Sequence, residues 1–262
     1  MIWQNPFRFG VSFHEANPAF FQEQTGGCPA DPEQRFRDPE AVISLCFFPL
    51  PPVNRREALR YAGAKAETPE LSLLLDAVLA DITPHLQGKV CWIDTPIRRQ
   101  GDTLDLGFAK TNSAALARNL VGCDRAVVFA ATLGLEFDRV LARYGKVSPA
   151  KALLLQGLGA ERIEGLCDVF CEKIRQEAQR DGRFPAPRFS PGYGDLPLSL
   201  QRDIFRVLDC PRKIGLTLNE NLLMSPSKSV TAIVGLGHPR ESSCSGGCNQ
   251  CSKTDCIYRS TP

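Results

Sequence analysis

The sequence predicts an α+β fold, and three observations predict it. Segments with helical spacing and cap residues are interspersed with short β-type runs, the two kinds follow no regular βαβ alternation, and one pair of strands flanks a Gln100-Gly101-Asp102 turn. With 262 residues and 43% hydrophobic content the chain can bury a full core, as one large domain or two small ones. No repeat of solenoid period occurs. The organisation read from these features is an irregular N-terminal extension over residues 1–50, an α+β domain over 51–240 and a Cys-rich tail over 241–262.

Residues 1–50 are rich in Phe, Pro and Gly without a sustained period, and one short strand is expected from Val42 to Phe48. Asn54 is placed to cap a helix running through Arg55 to Tyr61, which Gly63 stops. Thr68 and Pro69 open a second helix that continues to about Thr83, since Thr can accept from an unpaired first-turn amide and Pro fits the first helical position. From Lys89 to Phe108 the pattern predicts a hairpin with one wet face: Val90, Trp92 and Ile97 precede the turn, and Leu104, Leu106 and Phe108 alternate after it. Ser113 to Leu120 reads as a short helix and Arg125 to Ala131 as a buried strand. Thr132-Leu133-Gly134 turns into a helix bearing Phe137, Val140 and Leu141.

The longest helix is expected from Pro149 to Arg180, where Ile163, Leu166, Phe170 and Ile174 recur on one face. Gly157, Gly159 and Gly165 inside it each cost about 1 kcal/mol relative to Ala, so they mark close packing or a ligand's approach. A loop dense in Pro and Gly follows from Gly182 to Pro197. Then come a helix from Leu198 to Leu208, a short strand from Ile214 to Leu218 and a β-branched strand from Ser229 to Leu236.

The charges nearly cancel at +2, with basic residues interspersed among acids, which argues against a nucleic-acid partner. The longest apolar run, Leu71 to Ile82, carries acids and is too short to cross a bilayer, so a soluble protein without a membrane partner is expected. The opening Met-Ile-Trp-Gln-Asn-Pro lacks the features of a signal peptide, which points to the cytoplasm. No disulfide framework is expected there. Cys28, Cys46, Cys91, Cys123, Cys167, Cys171 and Cys210 lie mostly in apolar stretches and read as small hydrophobes.

Cys244, Cys248, Cys251 and Cys256 differ, because they spell C-x3-C-x2-C-x4-C in a run of Ser, Gly and Asn with no capacity for a core. Small residues between closely spaced thiols let a short chain wrap one ion or cluster. Four thiolates at ferredoxin-like compactness are the donor set of an iron-sulfur cluster. Zinc is the alternative, with His238 near enough to join, and redox thiols or an unstructured tail are the third reading. The first three cysteines also match the C-x3-C-x2-C of radical enzymes that use S-adenosylmethionine, but nothing follows them that can build such a barrel.

A second motif, Arg188-Phe189-Ser190-Pro191-Gly192-Tyr193-Gly194-Asp195, combines a residue of fixed φ with two that permit positive φ, so the backbone can bend sharply and expose amides to a ligand. An arginine opening such a loop suits a planar carboxylate, which it grips with two parallel hydrogen bonds. A structural turn with a surface arginine has the same composition.

That loop, the Pro-Leu-Ser-Leu-Gln that follows, Lys213 to Leu218 and Pro226 to Ala232 together resemble the activation domain of cobalamin-dependent methionine synthase. Arg56 to Tyr61 and Phe129 to Gly134 resemble its free-standing bacterial relatives, and the likeness spans roughly residues 50–240. The resemblance implies a bent antiparallel sheet with flanking helices. It also implies S-adenosylmethionine binding and docking on a corrinoid-binding methyltransferase or methionine synthase core, whose cobalt is rescued by one-electron reduction and methylation. Arg188 then pairs with the ligand's carboxylate, with Ser190 and Gly192 beside it in the loop. Tyr193 approaches the corrinoid, and Glu164, with Glu161 as competitor, stands near the ligand's cationic end.

The chain departs from the family at Ile233-Val234-Gly235-Leu236, where an aromatic pair is usual, and it lacks the Asp-x-His-x-x-Gly of a cobalamin module, so the corrinoid must arrive on another chain. Combined with the cysteine array, the expected function is reductive reactivation of a corrinoid protein, with electrons delivered through an iron-sulfur tail from a separate donor. A corrinoid-protein scaffold with a zinc tail and a stand-alone S-adenosylmethionine-dependent methyltransferase are the alternatives.

Overall fold

Residues 43–238 are described by the computed structural model. Along them the chain forms β1 (Ser44–Phe48), α1 (Arg55–Tyr61), α2 (Pro69–Ile82), β2 (Gly88–Pro96), β3 (Arg98–Gln100), β4 (Thr103–Asp105), β5 (Lys110–Thr111) and α3 (Ala114–Asn119). It continues through β6 (Cys123–Thr132), α4 (Leu135–Val147), α5 (Pro149–Arg180), β7 (Phe184–Pro185), α6 (Gln201–Leu208), α7 (Cys210–Ile214), β8 (Thr217–Leu218), β9 (Met224–Ser225) and β10 (Ser229–Gly237). Helices α1, α2 and α3 start where cap residues satisfy first-turn amides. Asn54 accepts from Glu57 N at 3.2 Å, Thr68 from Leu71 N at 3.3 Å and Ser113 from Leu116 N at 3.1 Å.

The frame is a curled five-stranded antiparallel sheet in the order β1-β2-β6-β10-β7. Its central strands are covered on both faces, and successive residues feed two cores. Trp92, Val127, Phe129 and Val234 pack beneath α1, α2, α4 and α5 with Leu75, Phe137, Leu155 and Phe170. The ring of Phe170 meets those of Phe48, Trp92 and Phe129 at 5.6, 5.0 and 4.9 Å between centroids. Cys91, Ile93, Val128, Ala130 and Ile233 face the other way, onto Leu104, Leu116, Leu120, Ile204 and Leu208. Coverage on both sides is why β6 reads as an unbroken apolar run rather than an alternation.

Three expectations need correction. The stretch from Lys89 to Phe108 is not one hairpin. β2 pairs with β1 and β6 and ends at Pro96, and the Gln100-Gly101-Asp102 turn joins only β3 to β4 in a separate three-stranded sheet with β5. Ile214 lies in a helix rather than a strand, because Pro211 suits the first turn of α7 and Gly215, at φ +69°, ends it. Only Thr217–Leu218 is extended there, paired with β9. The segment from Leu198 to Leu208 begins as a 3-10 turn over Leu198–Leu200 before α6.

The glycines of α5 serve close packing. A Cβ at Gly157 would stand 2.6 Å from Ala62 N where α1 crosses the helix, and one at Gly159 would stand 2.7 Å from Phe137 Cε2. Among the described residues no cysteine forms a disulfide. Cys28 and the four tail cysteines lie outside those residues.

Candidate functional site

After β7 the chain stays on the outer edge of β10. Ala186 N donates to Gly235 O at 2.8 Å, and Phe189 and Ile233 exchange both backbone bonds at 2.8 Å. The chain then reverses through Gly192 at φ +91° and Gly194 at φ +55°, conformations that a side chain opposes. Two amides of this turn are engaged within it. Gly192 N donates to Leu196 O at 2.9 Å and Tyr193 N to Ser190 O at 3.1 Å, so the reversal consumes them.

Asp195 closes the motif by reaching α3. Its carboxylate accepts from Ala114 N at 2.8 Å, from Ala115 N at 3.0 Å and from the Ser113 hydroxyl. The Ser113 hydroxyl and then the Ala115 amide hold this carboxyl down at about 2. A Cβ at Gly194 would meet Ala115 Cβ at 2.7 Å, so glycine permits the loop to lie against the helix.

Arg188 stands where this loop meets α5. Its Nη2 lies 2.6 Å from Glu164 Oε2 and 3.2 Å from Asp168 Oδ1, whereas its Nη1 is buried without a hydrogen-bond partner. Glu164, Cys167, Asp168 and Cys171 follow one face of α5 at spacings of three and four. Burial pushes the Cys171 thiol up to about 11 and the Cys167 thiol well above its ordinary value, so both stay protonated near neutrality. Tyr193 is half-buried, edge-on to Phe189 at 6.1 Å between centroids, and its phenol is raised by burial and then by Glu164.

The structure brings Arg188 to Glu164 and places Ser190, Gly192 and Tyr193 in the adjoining turn. Glu161 is elsewhere. Its carboxylate receives Arg162 Nε at 2.5 Å, Arg162 Nη2 at 2.6 Å and Asn54 N at 3.0 Å, and Arg162 also donates to Pro51 O and Pro52 O. This is a buried clamp that fastens the entry of α1 to α5.

A cleft of about 420 Å³ opens beside the loop, lined by Ala115, Arg118, Asn119, Arg188, Phe189 and Tyr193 among others. A larger depression of about 620 Å³, lined by Arg99, Asn112, Arg118 and Val121 among others, includes none of the loop residues. Asp168, Asn119 and the anchoring role of Asp195 were not singled out from sequence. For Asp168 a signal existed, since it lies one turn beyond Glu164 on the same face. For Asn119 and Asp195 the partners are distant in sequence, and no local pattern marks them.

Among the described residues no group of three or more His, Cys, Asp or Glu side chains is placed to hold a metal ion. Among them, too, no helix is long and apolar enough to cross a membrane.

Comparison with known proteins relates the chain to one family and to solved structures. A family described as vitamin B12 dependent methionine synthase, activation domain, matches residues 116–247, just over half of the chain. A crystal structure of the MetH reactivation domain bound to AdoHcy shares the fold with a TM-score of 0.56 at 17% identity, over 78% of this chain and 80% of that one. No curated protein matches by sequence.

Proposed function

Because the chain belongs to the family of vitamin B12 dependent methionine synthase activation domains, we propose that its Arg188 cleft binds S-adenosylmethionine and supports reductive methylation of a corrinoid carried by another chain. The partner in this reading is a corrinoid-binding methyltransferase or methionine synthase core.

The state of Arg188 carries the reading. Nη2 is held by Glu164 and Asp168 while Nη1 is buried and unpartnered. An arginine pre-oriented on one side and unsatisfied on the other is built to receive an anionic oxygen, and the methionyl carboxylate supplies one. Two carboxylates beside the same guanidinium also favour a ligand that is cationic elsewhere, as a sulfonium is. The AdoHcy bound to the MetH domain supports the ligand class. Tyr193 lines the cleft beside Arg188, Ser190 and Gly192 lie in the same turn, and Tyr193 is the group assigned to meet the corrinoid.

The absent aromatic pair has a packing reason in this chain. Ile233, Val234, Gly235 and Leu236 are all buried, and a Cβ at Gly235 would stand 2.7 Å from Cys123 Sγ. The ligand must therefore rely on the loop and α3 rather than on β10. In this reading S-adenosylmethionine, when bound, supplies the methyl group to the reduced cobalt. The test is a calorimetric titration with S-adenosylmethionine, in which Arg188→Ala weakens binding by about tenfold or more. Equal affinities for the two proteins would remove Arg188 from this role.

The cysteine-rich tail extends the proposal to electron delivery. β10 ends at Gly237, which pairs with Phe184, four residues along the strand from the Ile233 and Phe189 bridge, a span of about 13 Å. Seven further residues from His238 to Cys244 reach at most about 25 Å. A cluster on Cys244, Cys248, Cys251 and Cys256 would thus have the reach to serve the loop, and thiolate-held iron-sulfur clusters cover the low potentials that cobalt reduction requires. Anaerobic purification followed by absorption and electron paramagnetic resonance spectra tests this. A colourless protein with stoichiometric zinc would sink it and favour a scaffold with a structural zinc tail.

A further inference from the structure

We infer that Asn119 is a second ligand-binding residue of the cleft, accepting a hydrogen bond from the amino group adjacent to the carboxylate on Arg188, so that the site selects an α-amino acid moiety. This rests on the S-adenosylmethionine reading and adds a contact to it.

Three observations converge on Asn119. Its Nδ2 donates to Pro187 O at 3.0 Å, and because a carbonyl only accepts, the amide nitrogen must face Pro187 and Oδ1 must turn away. That Oδ1 is buried and has no hydrogen-bond partner. Buried acceptors of this kind are rare, and each calls for an explanation. Arg188 Nη1 is buried and unpartnered in the opposite sense, as a donor, and both residues line the same cleft. Pro187 O belongs to the peptide that leads into Arg188, so the two groups are tied together through the backbone.

One orphan donor and one orphan acceptor in a single cleft complement a zwitterion. The carboxylate of an amino acid accepts from Arg188, and its ammonium, one carbon away, donates to Asn119. A neutral amide suits this task because it leaves Glu164 and Asp168 as the counter-charges of Arg188. The other buried orphans, Gln201 Oε1 and Thr231 Oγ1, belong to residues that line neither depression.

The experiment titrates the full chain calorimetrically with S-adenosylmethionine and with the analogue whose α-amino group is replaced by an oxo group. The unaltered protein is expected to bind the oxo analogue about tenfold more weakly. Asn119→Ala is expected to weaken S-adenosylmethionine by about tenfold while changing the oxo analogue by less than about twofold. Equal binding of the two ligands by the unaltered protein would overturn the inference, and so would an equal loss for both on Asn119→Ala. The first comparison needs no variant, so it decides the matter even if Asn119→Ala does not fold. Failure of the unaltered protein to bind S-adenosylmethionine would overturn the ligand reading as well, whereas binding without discrimination would overturn the Asn119 contact alone.

Discussion

Glu161 and Glu164 lie within one turn of α5, and each meets an arginine, yet the two pairs differ in what they leave undone. The Glu161 and Arg162 side chains are only 6% and 3% exposed, and the pair is completed by Asn54 N, Pro51 O and Pro52 O. The Glu164 and Arg188 side chains are 20% and 23% exposed, and one guanidinium nitrogen remains buried with no partner. A buried charge that is fully satisfied holds structure, and one left partly unsatisfied has capacity for a ligand. Residue type and spacing do not separate the two cases. The number of unused hydrogen-bonding groups does.

That contrast can be broken most directly by Arg162→Met. It leaves Glu161 buried without its cation and should lower unfolding stability by about 3 kcal/mol or more, read from denaturant midpoints. Arg188→Met should lower stability by only about 1 kcal/mol, because Glu164 is nearer water and an unsatisfied donor disappears with the guanidinium. Similar losses for the two variants would erase the distinction between clamp and site.

Glu164→Gln should sharpen it on a finer scale. Gln keeps an acceptor for Arg188 but removes a charge, while Asp168 stays in place, so S-adenosylmethionine affinity should fall by about threefold in the same calorimetric assay. An unchanged affinity would make Glu164 a bystander.

The smallest effect is expected at exposed Asp195, which anchors the loop to α3. Its carboxyl is held at about 2 in the folded protein against about 3.9 when unfolded, so its contribution is fully present above pH 4 or so and is lost as pH falls toward 2. Asp195→Asn should therefore lower stability modestly at neutral pH, flatten the acid limb of the profile and converge with the unaltered protein near pH 2. A profile parallel to that of the unaltered protein would contradict this anchoring role.

Local chemistry made much of the fold legible. Asn54, Thr68 and Ser113 announced their helices, and the face of Ile163, Leu166, Phe170 and Ile174 announced α5. Where reading failed, tertiary pairing had decided. Lys89 to Phe108 alternates as a hairpin would, but which strand β2 joins depends on β6, more than twenty residues later. Ile214 favours a strand by type and yields to the stronger signals of Pro211 and Gly215. At the candidate site, resemblance singled out Arg188 and Glu164, which the structure pairs. Asn119 was not, because its meaning arises only when Pro187, sixty-eight residues away, takes one end of its amide.

The bridge between Phe189 and Ile233 also bears on how copies of this molecule avoid one another. An unpaired strand edge is a template on which another chain can build. Along the outer side of β10 that template is already occupied by β7 and by the arginine loop itself, so the segment proposed to recognise the ligand doubles as a guard against self-association. Mutations that loosen the loop would then be expected to reduce solubility along with affinity.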